Sequence, residues 1–344
     1  MASVGSISQR PPRVARTPTL LRVAGLVECV PNFSEGRRTE VVDALAEAVG
    51  ATAEVLLLDR TSDADHNRSV LTFAGPAHAV AAAAEAATAI AIERIDLRRH
   101  VGQHPRIGAV DVVPFVPLEG SDMADCVALA REFGARIADR FELPVYLYGE
   151  AATRADRRVL SDIRKPQFEG LEGLIGTPAY EPDFGPARRH PSAGATVVGA
   201  RPFLIAYNIN LDTDDLALAK HIASTIRERN GGLPRVQALG LFLQDLDVAQ
   251  VSMNLLDHTV TPMWRVWEEV ERLAAEADVA PLESELIGLA PLAALTSVAD
   301  HAGVDSRLPV AERLAAGAAW LHLRDFQPSM ALELRLANMR SRTG

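Results

Sequence analysis

Cysteine is nearly absent: 344 residues hold two, Cys29 and Cys126. Each sits in an apolar run, as a small core residue of a protein in a reducing compartment does. A catalytic thiol is the lesser reading even for Cys29, which precedes a polar loop. No C-x-x-C pair, no H-E-x-x-H, no G-x-x-x-x-G-K-S/T and no Rossmann glycine triplet occurs, so redox, zinc-protease and nucleotide readings have no support. Positive charge is not in excess either. The formal net charge is −10, which points away from nucleic acid as a partner, although an acidic surface can still hold a basic pocket. No stretch approaches the roughly 18 uninterrupted apolar residues of a membrane span. The Ala-rich run from Pro76 to Ile92 comes nearest, but His78 and Glu85 interrupt it. A secretory apolar region is lacking as well, so a cytoplasmic protein is expected, without a membrane partner. Residues 1–24 carry four arginines, three prolines and no acidic residue, and read as a disordered extension.

What remains is ordinary globular material: 48% hydrophobic and 23% charged residues, long enough for two domains. From Leu26 the pattern alternates strands and helices. A strand is predicted over residues 26–31, then a helix over residues 35–49 with Ser34 as its N-cap. The first half reads β-α-β-β-α-β-α-β. Residues 166–195, rich in Gly, Pro and charge, read as a connector without clear periodicity. The second half, from Phe203, reads β-α-β-β-α-β, the split ferredoxin-like unit. The expected fold is therefore α/β (α+β): two ferredoxin-like subdomains, 25–184 and 185–330, followed by a tail over 331–344.

The densest chemistry lies in His100-Val-Gly-Gln-His104-Pro105-Arg106-Ile-Gly108-Ala-Val-Asp111. Histidine takes and returns protons near neutral pH, and arginine offers a fixed fork of donors to carboxylates. His100 and His104 have the i, i+4 spacing of a helical metal pair. Gly102 and Pro105 argue against helix there, so no metal site is expected. Upstream, Asn32, Ser34 and Gly36 end a strand and open a helix, an arrangement that either caps a turn or holds an anion. The loop Asp63-Ala-Asp65-His66-Asn67-Arg68 has part of a calcium-loop spacing, but the glycine and distal glutamate are missing. Asp63 or Asp65 is placed to orient a histidine, and Arg68 to bind a carboxylate. The connector brings Gly185, Arg188, Arg189, His190 and Gly194. Asn208 and Asn210 point the same way from an apolar strand and face a cleft if they are not satisfied internally.

These blocks, in this order, resemble the formiminotransferase family: VECVPNFSEG, DHNRSV, RHVGQHPRIGAVDVVPF, PVYLYGEAA, the DFGP…GA connector, FLIAYNINL, VQALG and QVSMNLLD. They span residues 26–290. The resemblance implies two α/β subdomains around a charged ligand tunnel, and a homodimer. It implies transfer of a formimidoyl group from N-formimidoyl-L-glutamate to N5 of tetrahydrofolate, which acts as co-substrate, alone or as its polyglutamates. That chemistry belongs to histidine degradation and one-carbon metabolism. The histidine before Pro-Arg, His104, is implied as the catalytic one, assisted by Asp63 or Asp65. Residues 185–194 are implied as the folate segment. Both substrates carry carboxylates, so Arg68, Arg106, Arg188 and Arg189 are candidate anion clamps, with Asn32, His190 and Asn208 as further candidate substrate contacts. Animal members carry a second acidic residue shortly after the LLD strand, where this chain has Thr61. Their cyclodeaminase part has no counterpart here, so a separate cyclodeaminase is the expected consumer of the product. Formyl transfer between formyl-tetrahydrofolate and glutamate, or a non-catalytic folate-binding homologue, are the alternatives.

Overall fold

The computed structural model describes residues 25–102, 104–244 and 246–343; the extension expected over 1–24 lies outside the described residues. The first unit runs β1 (Leu26–Cys29), β2 (Asn32–Phe33), α1 (Thr39–Gly50), β3 (Leu56–Asp63), β4 (Arg68–Pro76), α2 (Ala77–Arg94), β5 (Val110–Pro117), α3 (Met123–Phe141), β6 (Val145–Gly149), α4 (Leu160–Arg164), α5 (Gln167–Leu171) and β7 (Thr196–Ala200). The second runs β8 (Ile205–Leu211), α6 (Leu216–Ile226), β9 (Val236–Leu243), β10 (Val248–Leu255), α7 (Met263–Ala275), β11 (Pro281–Ile287), α8 (Leu292–His301), α9 (Val310–Trp320) and α10 (Leu332–Thr343).

The single strand expected over 26–31 is two short ones. Both β1 and β2 lie between β4 and β5. They act as one strand broken at Val30-Pro31, where proline has no N–H for the ladder. With β3 outside β4, the first unit keeps the ferredoxin-like arrangement and extends it. β7 joins β5 in parallel, and β6 joins β7 in parallel. The second sheet is fully antiparallel in the order β11-β8-β10-β9, the complete split β-α-β-β-α-β unit. The junction expected at 184/185 precedes β7, so the strand that completes the first sheet lies beyond it.

Helices α1–α3 cover one face of the first sheet over a core that includes Phe33, Phe73, Phe115 and Phe133. α2 buries Ala79, Ala83, Ala84, Ala87 and Ala91, and these small side chains let it lie close to its neighbours. α1 begins at Thr39, later than predicted. Ser34 is drawn away from the helix because its hydroxyl donates to the Gly108 carbonyl at 2.7 Å. The Glu35 carboxylate instead accepts the N–H groups of Arg37 and Arg38, both at 2.9 Å.

The opposite face of the first sheet is covered in two parts. Over β5, β6 and β7 lie α4 and α5, through Ile163 and Leu171 against Val112, Tyr146 and Val197. These helices stand in and just before the stretch expected to be a structureless connector. Over β3 and β4 lies α10, through Leu332 and Leu336 against Leu58 and Ala74. Residues 331–344 thus hold a helix that joins the two units, and Arg335 Nε donates to the Leu58 carbonyl at 2.8 Å. No described helix is long and apolar enough to cross a membrane.

Candidate active site

The described residues among 100–108 form no helix, as Gly102 and Pro105 dictate. Arg106 Nε donates to His100 Nδ1 at 3.0 Å, which leaves the ring proton on Nε2, where it donates to the Asn67 carbonyl at 2.9 Å. These two bonds fix the tautomer of His100 and occupy both of its nitrogens. The rest of the Arg106 fork closes on Glu169 at 2.7 and 2.9 Å. Arg106 is buried, and its donors are taken up internally, so it holds the loop in shape rather than presenting a fork to substrate.

His104 differs. Its Nδ1–H donates to the Pro105 carbonyl at 2.6 Å, leaving Nε2 as a bare lone pair. Burial, reinforced by the nearby charges of Arg68 and Arg164, lowers its pKa to about 4. The imidazole is therefore neutral at neutral pH and able to accept a proton. Because the folded pKa lies below the ordinary 6.5, only the unfolded chain takes up this proton between about 6.5 and about 4. Acid therefore removes stability across that window. An NMR titration of the histidine Cε1–H signals, with His104 assigned by its loss in His104→Ala, should show one histidine unprotonated down to about pH 4. A midpoint near 6.5 would refute this environment.

Asp111 anchors the cations. Flanked by Val110 and Val112 on β5, it is fully buried. One oxygen accepts the Ile107 N–H at 2.8 Å, and the other meets Arg68 at 2.8 Å and Arg164 at 2.5 Å. Burial pushes its carboxyl up, but Arg164, Arg68 and these hydrogen bonds outweigh it and hold it below the usual range. The Arg164 contact is close but off the line of a hydrogen bond, and its buried Nε has no acceptor among the described residues. Arg68 spends two more donors on Asn32 Oδ1, at 2.8 and 3.2 Å. Burial brings its pKa down to about 10, still cationic at neutral pH. Two guanidiniums over one carboxylate leave the ground beside His104 net positive.

Sequence reasoning placed His104, Asn32 and Arg68 here and missed Asp111 and Arg164. An aspartate inside an apolar strand was the legible signal for the first. The other carboxylates lie elsewhere: Asp63 pairs with His66 at 2.9 Å, and Asp65 stands exposed in the turn. His66 and His104 approach edge-on, with ring centroids 6.3 Å apart. Asn208 and Asn210 do point the same way, but toward Glu285 and Glu283, at 3.4 and 3.0 Å.

The end of the 185–194 segment packs beside the His104 loop, where Ala195 and Ala109 N–H groups donate to the Ile107 and Ala193 carbonyls. Its cations turn away: Arg188 meets Glu142 and Arg189 meets Glu172, both at 2.6 Å. Arg189 also stacks on Phe168. His190 accepts the Ala193 N–H at its Nδ1. Gly185 and Gly194 have φ of 84° and 74°, and a Cβ there would lie 2.4 Å and 2.2 Å from the Leu143 and Ile107 carbonyl oxygens. Backbone geometry alone requires both glycines. Behind His100, a cavity of about 440 Å³ is lined by Glu35, Arg37, Arg38, Asp96 and Arg99. Neither cysteine takes part. Both are buried, and burial pushes the Cys29 thiol well up and that of Cys126 to about 12.

A sequence model described as formiminotransferase domain, N-terminal subdomain, matches residues 26–201. A second, described as formiminotransferase domain, matches residues 206–312. The gap between them falls where the chain leaves β7 for β8. A glutamate formimidoyltransferase of Thermoplasma acidophilum is 47% identical over 278 residues, 80% of this chain and 91% of that protein. One from Streptococcus pyogenes is 42% identical over 81% of this chain and 93% of that protein. The formimidoyltransferase-cyclodeaminase of Rattus norvegicus is 45% identical over 80% of this chain, which spans 52% of that longer protein.

Proposed function

Because the chain belongs to the formiminotransferase family, we propose that it transfers the formimidoyl group of N-formimidoyl-L-glutamate to N5 of tetrahydrofolate, yielding 5-formimidoyltetrahydrofolate and L-glutamate. The observation that carries the chemistry is His104: a neutral imidazole with Nε2 bare, beside a net-positive cluster. N5 attacks the amidine carbon, and Nε2 takes the N5 proton as the N–C bond forms. The imidazolium then protonates the glutamate nitrogen, the C–N bond to glutamate breaks, and the neutral base returns. Positioning of two substrates supplies the larger share of the rate.

Both substrates carry carboxylates. Arg68 and Arg164 share the single carboxylate of Asp111 near His104, and Arg164 has buried nitrogens without an acceptor among the described residues. Anion holding therefore falls to them rather than to Arg106, Arg188 or Arg189, each already paired with its own glutamate. Asp111, rather than Asp63 or Asp65, is the carboxylate that sets the charge around His104. The arginine-lined cavity behind His100 offers a further seat for a carboxylate tail. The 185–194 segment contributes through its backbone at the Gly194 end. The chain divides at 201–205, where the first sheet ends and the second begins. An apolar exposed edge on β9, with Leu239, Leu241 and Phe242, supports a homodimer. Two buried free thiols support a cytoplasmic setting.

The test is a turnover assay with purified protein, formiminoglutamate and tetrahydrofolate, read as absorbance of the methenyl form after acid conversion. Catalytic signal is expected. Folate binding without signal would overturn the reading in favour of a different donor or a binding protein.

A further inference from the structure

One buried titratable group has no part in the chemistry above. Glu28 is 1% exposed, and neither of its carboxyl oxygens has a hydrogen-bond partner among the described residues. Burial, opposed by Arg201 and reinforced by Glu333, pushes its pKa up to about 7. Folding leaves such a group unsatisfied at a cost, and native structures rarely retain one without a use.

Its position says what it faces. Val27, Cys29 and Phe33 point into the core under the helices. Alternation along the strand therefore turns Glu28 and Asn32 to the other face. Glu28 lies opposite Ala74, and Asn32 opposite Val70, four residues apart on β4. Asn32 holds Arg68 in the His104 cluster. Glu28 thus stands on the same sheet face as the reacting centre, about 13 Å farther along the strand by the ordinary rise per residue. That suits the far end of a substrate, not the atoms that react.

A carboxyl offers two oxygens side by side, which match two parallel N–H donors. Substrate carboxylates are repelled there, and the amidine has to sit at His104. The remaining donor fork in the reaction is the pyrimidine edge of the pterin, with its ring N3–H and 2-amino group. We infer that Glu28 is a specificity residue that receives this N3–H/2-amino edge and so sets which way the folate lies. The inference rests on the folate reading above. A ligand supplying these two donors satisfies both stranded oxygens at once, and draws the carboxyl toward its charged form.

The experiment compares tetrahydrofolate with its 2-desamino-2-methyl analogue, which lacks one donor, in the wild-type protein and in Glu28→Gln. In the wild type the analogue should raise KM about 10- to 100-fold, the usual range for one hydrogen bond to a charged group. In Glu28→Gln the KM for tetrahydrofolate itself should rise similarly, and the two pterins should become equal to within about threefold. The KM for formiminoglutamate serves as the control that a general loss of structure would move. Equal KM values for the two pterins in the wild type would overturn the assignment even if the variant does not fold. So would an unchanged ratio in Glu28→Gln. Neither result touches the function, whereas a wild-type protein that does not turn over tetrahydrofolate at all sinks the function and this inference together.

Discussion

Replacing His104 with alanine should lower kcat by about 10²- to 10⁴-fold, the range by which a positioned general acid–base group accelerates a reaction. The fold should survive, because among the described residues the ring makes one hydrogen bond, to the carbonyl of the next residue. Substrate affinity should change little, since the arginine cluster does not depend on it. His66→Ala is the matched control. Its ring is half-exposed and tied to Asp63, so its removal should cost less than about tenfold. Steady-state rates with both substrates saturating, alongside thermal melts of each variant, separate the outcomes. A His104→Ala protein that keeps turnover within tenfold would remove the base from the mechanism. Equal losses in both variants would move the proton transfer to a different group or to solvent.

The second large effect falls on stability. Asp111→Ala leaves Arg68 and Arg164 buried side by side with no opposing charge. Stripping one partner from a buried ion pair costs about 3–5 kcal/mol. Asp111→Asn keeps an acceptor for the Ile107 N–H and loses only the charge, so it should fall between the wild type and Asp111→Ala. Asp63→Ala, which removes a half-exposed pair with His66, should cost under about 1 kcal/mol. Urea unfolding measures all three, and the midpoint should shift while the slope stays constant. An Asp111→Ala protein within about 1 kcal/mol of the wild type would show that the cluster is not the anchor described above. The pH dependence has the opposite origin to that of His104. The Asp111 carboxyl is held below its ordinary 3.8. Its contribution is therefore present above that value and lost as pH falls through the folded one.

The two predictions also mark what was readable in the sequence. His104 was legible because a helix cannot tolerate its neighbours: Gly102 and Pro105 announce a shaped loop. Arg68 and Asn32 stood in loops and strand ends dense with polar groups. The second unit was read in its correct order because its strands alternate cleanly and its helices are long. The ion pairs were not legible. Arg106 and Arg189 look like anion clamps in a linear reading. Their partners, Glu169 and Glu172, lie in or just beyond the five-residue helix α5, too short to register as a pattern. Arg164 was hidden for the same reason, on α4. Asp63 and Asp65 drew attention by their density, while Asp111, marked only by its place inside an apolar strand, was passed over because nothing in a linear reading pairs it with Arg68 and Arg164.

β7 is made late and used centrally. Its five buried residues slot between β5 and β6 in parallel with both, after the chain has travelled through α4, α5 and the 185–194 turns. A ribosome reading from the amino end releases β5 and β6 first, and they wait with facing edges open. Parallel neighbours cannot be joined by a tight hairpin, so nothing local closes that gap. The first unit therefore cannot fold to completion until translation has passed Ala200. An arrested chain ending before Thr196 would present two hydrophobic strand edges with a slot of one strand's width between them. That is a receptive site for the corresponding strand of a neighbouring nascent copy.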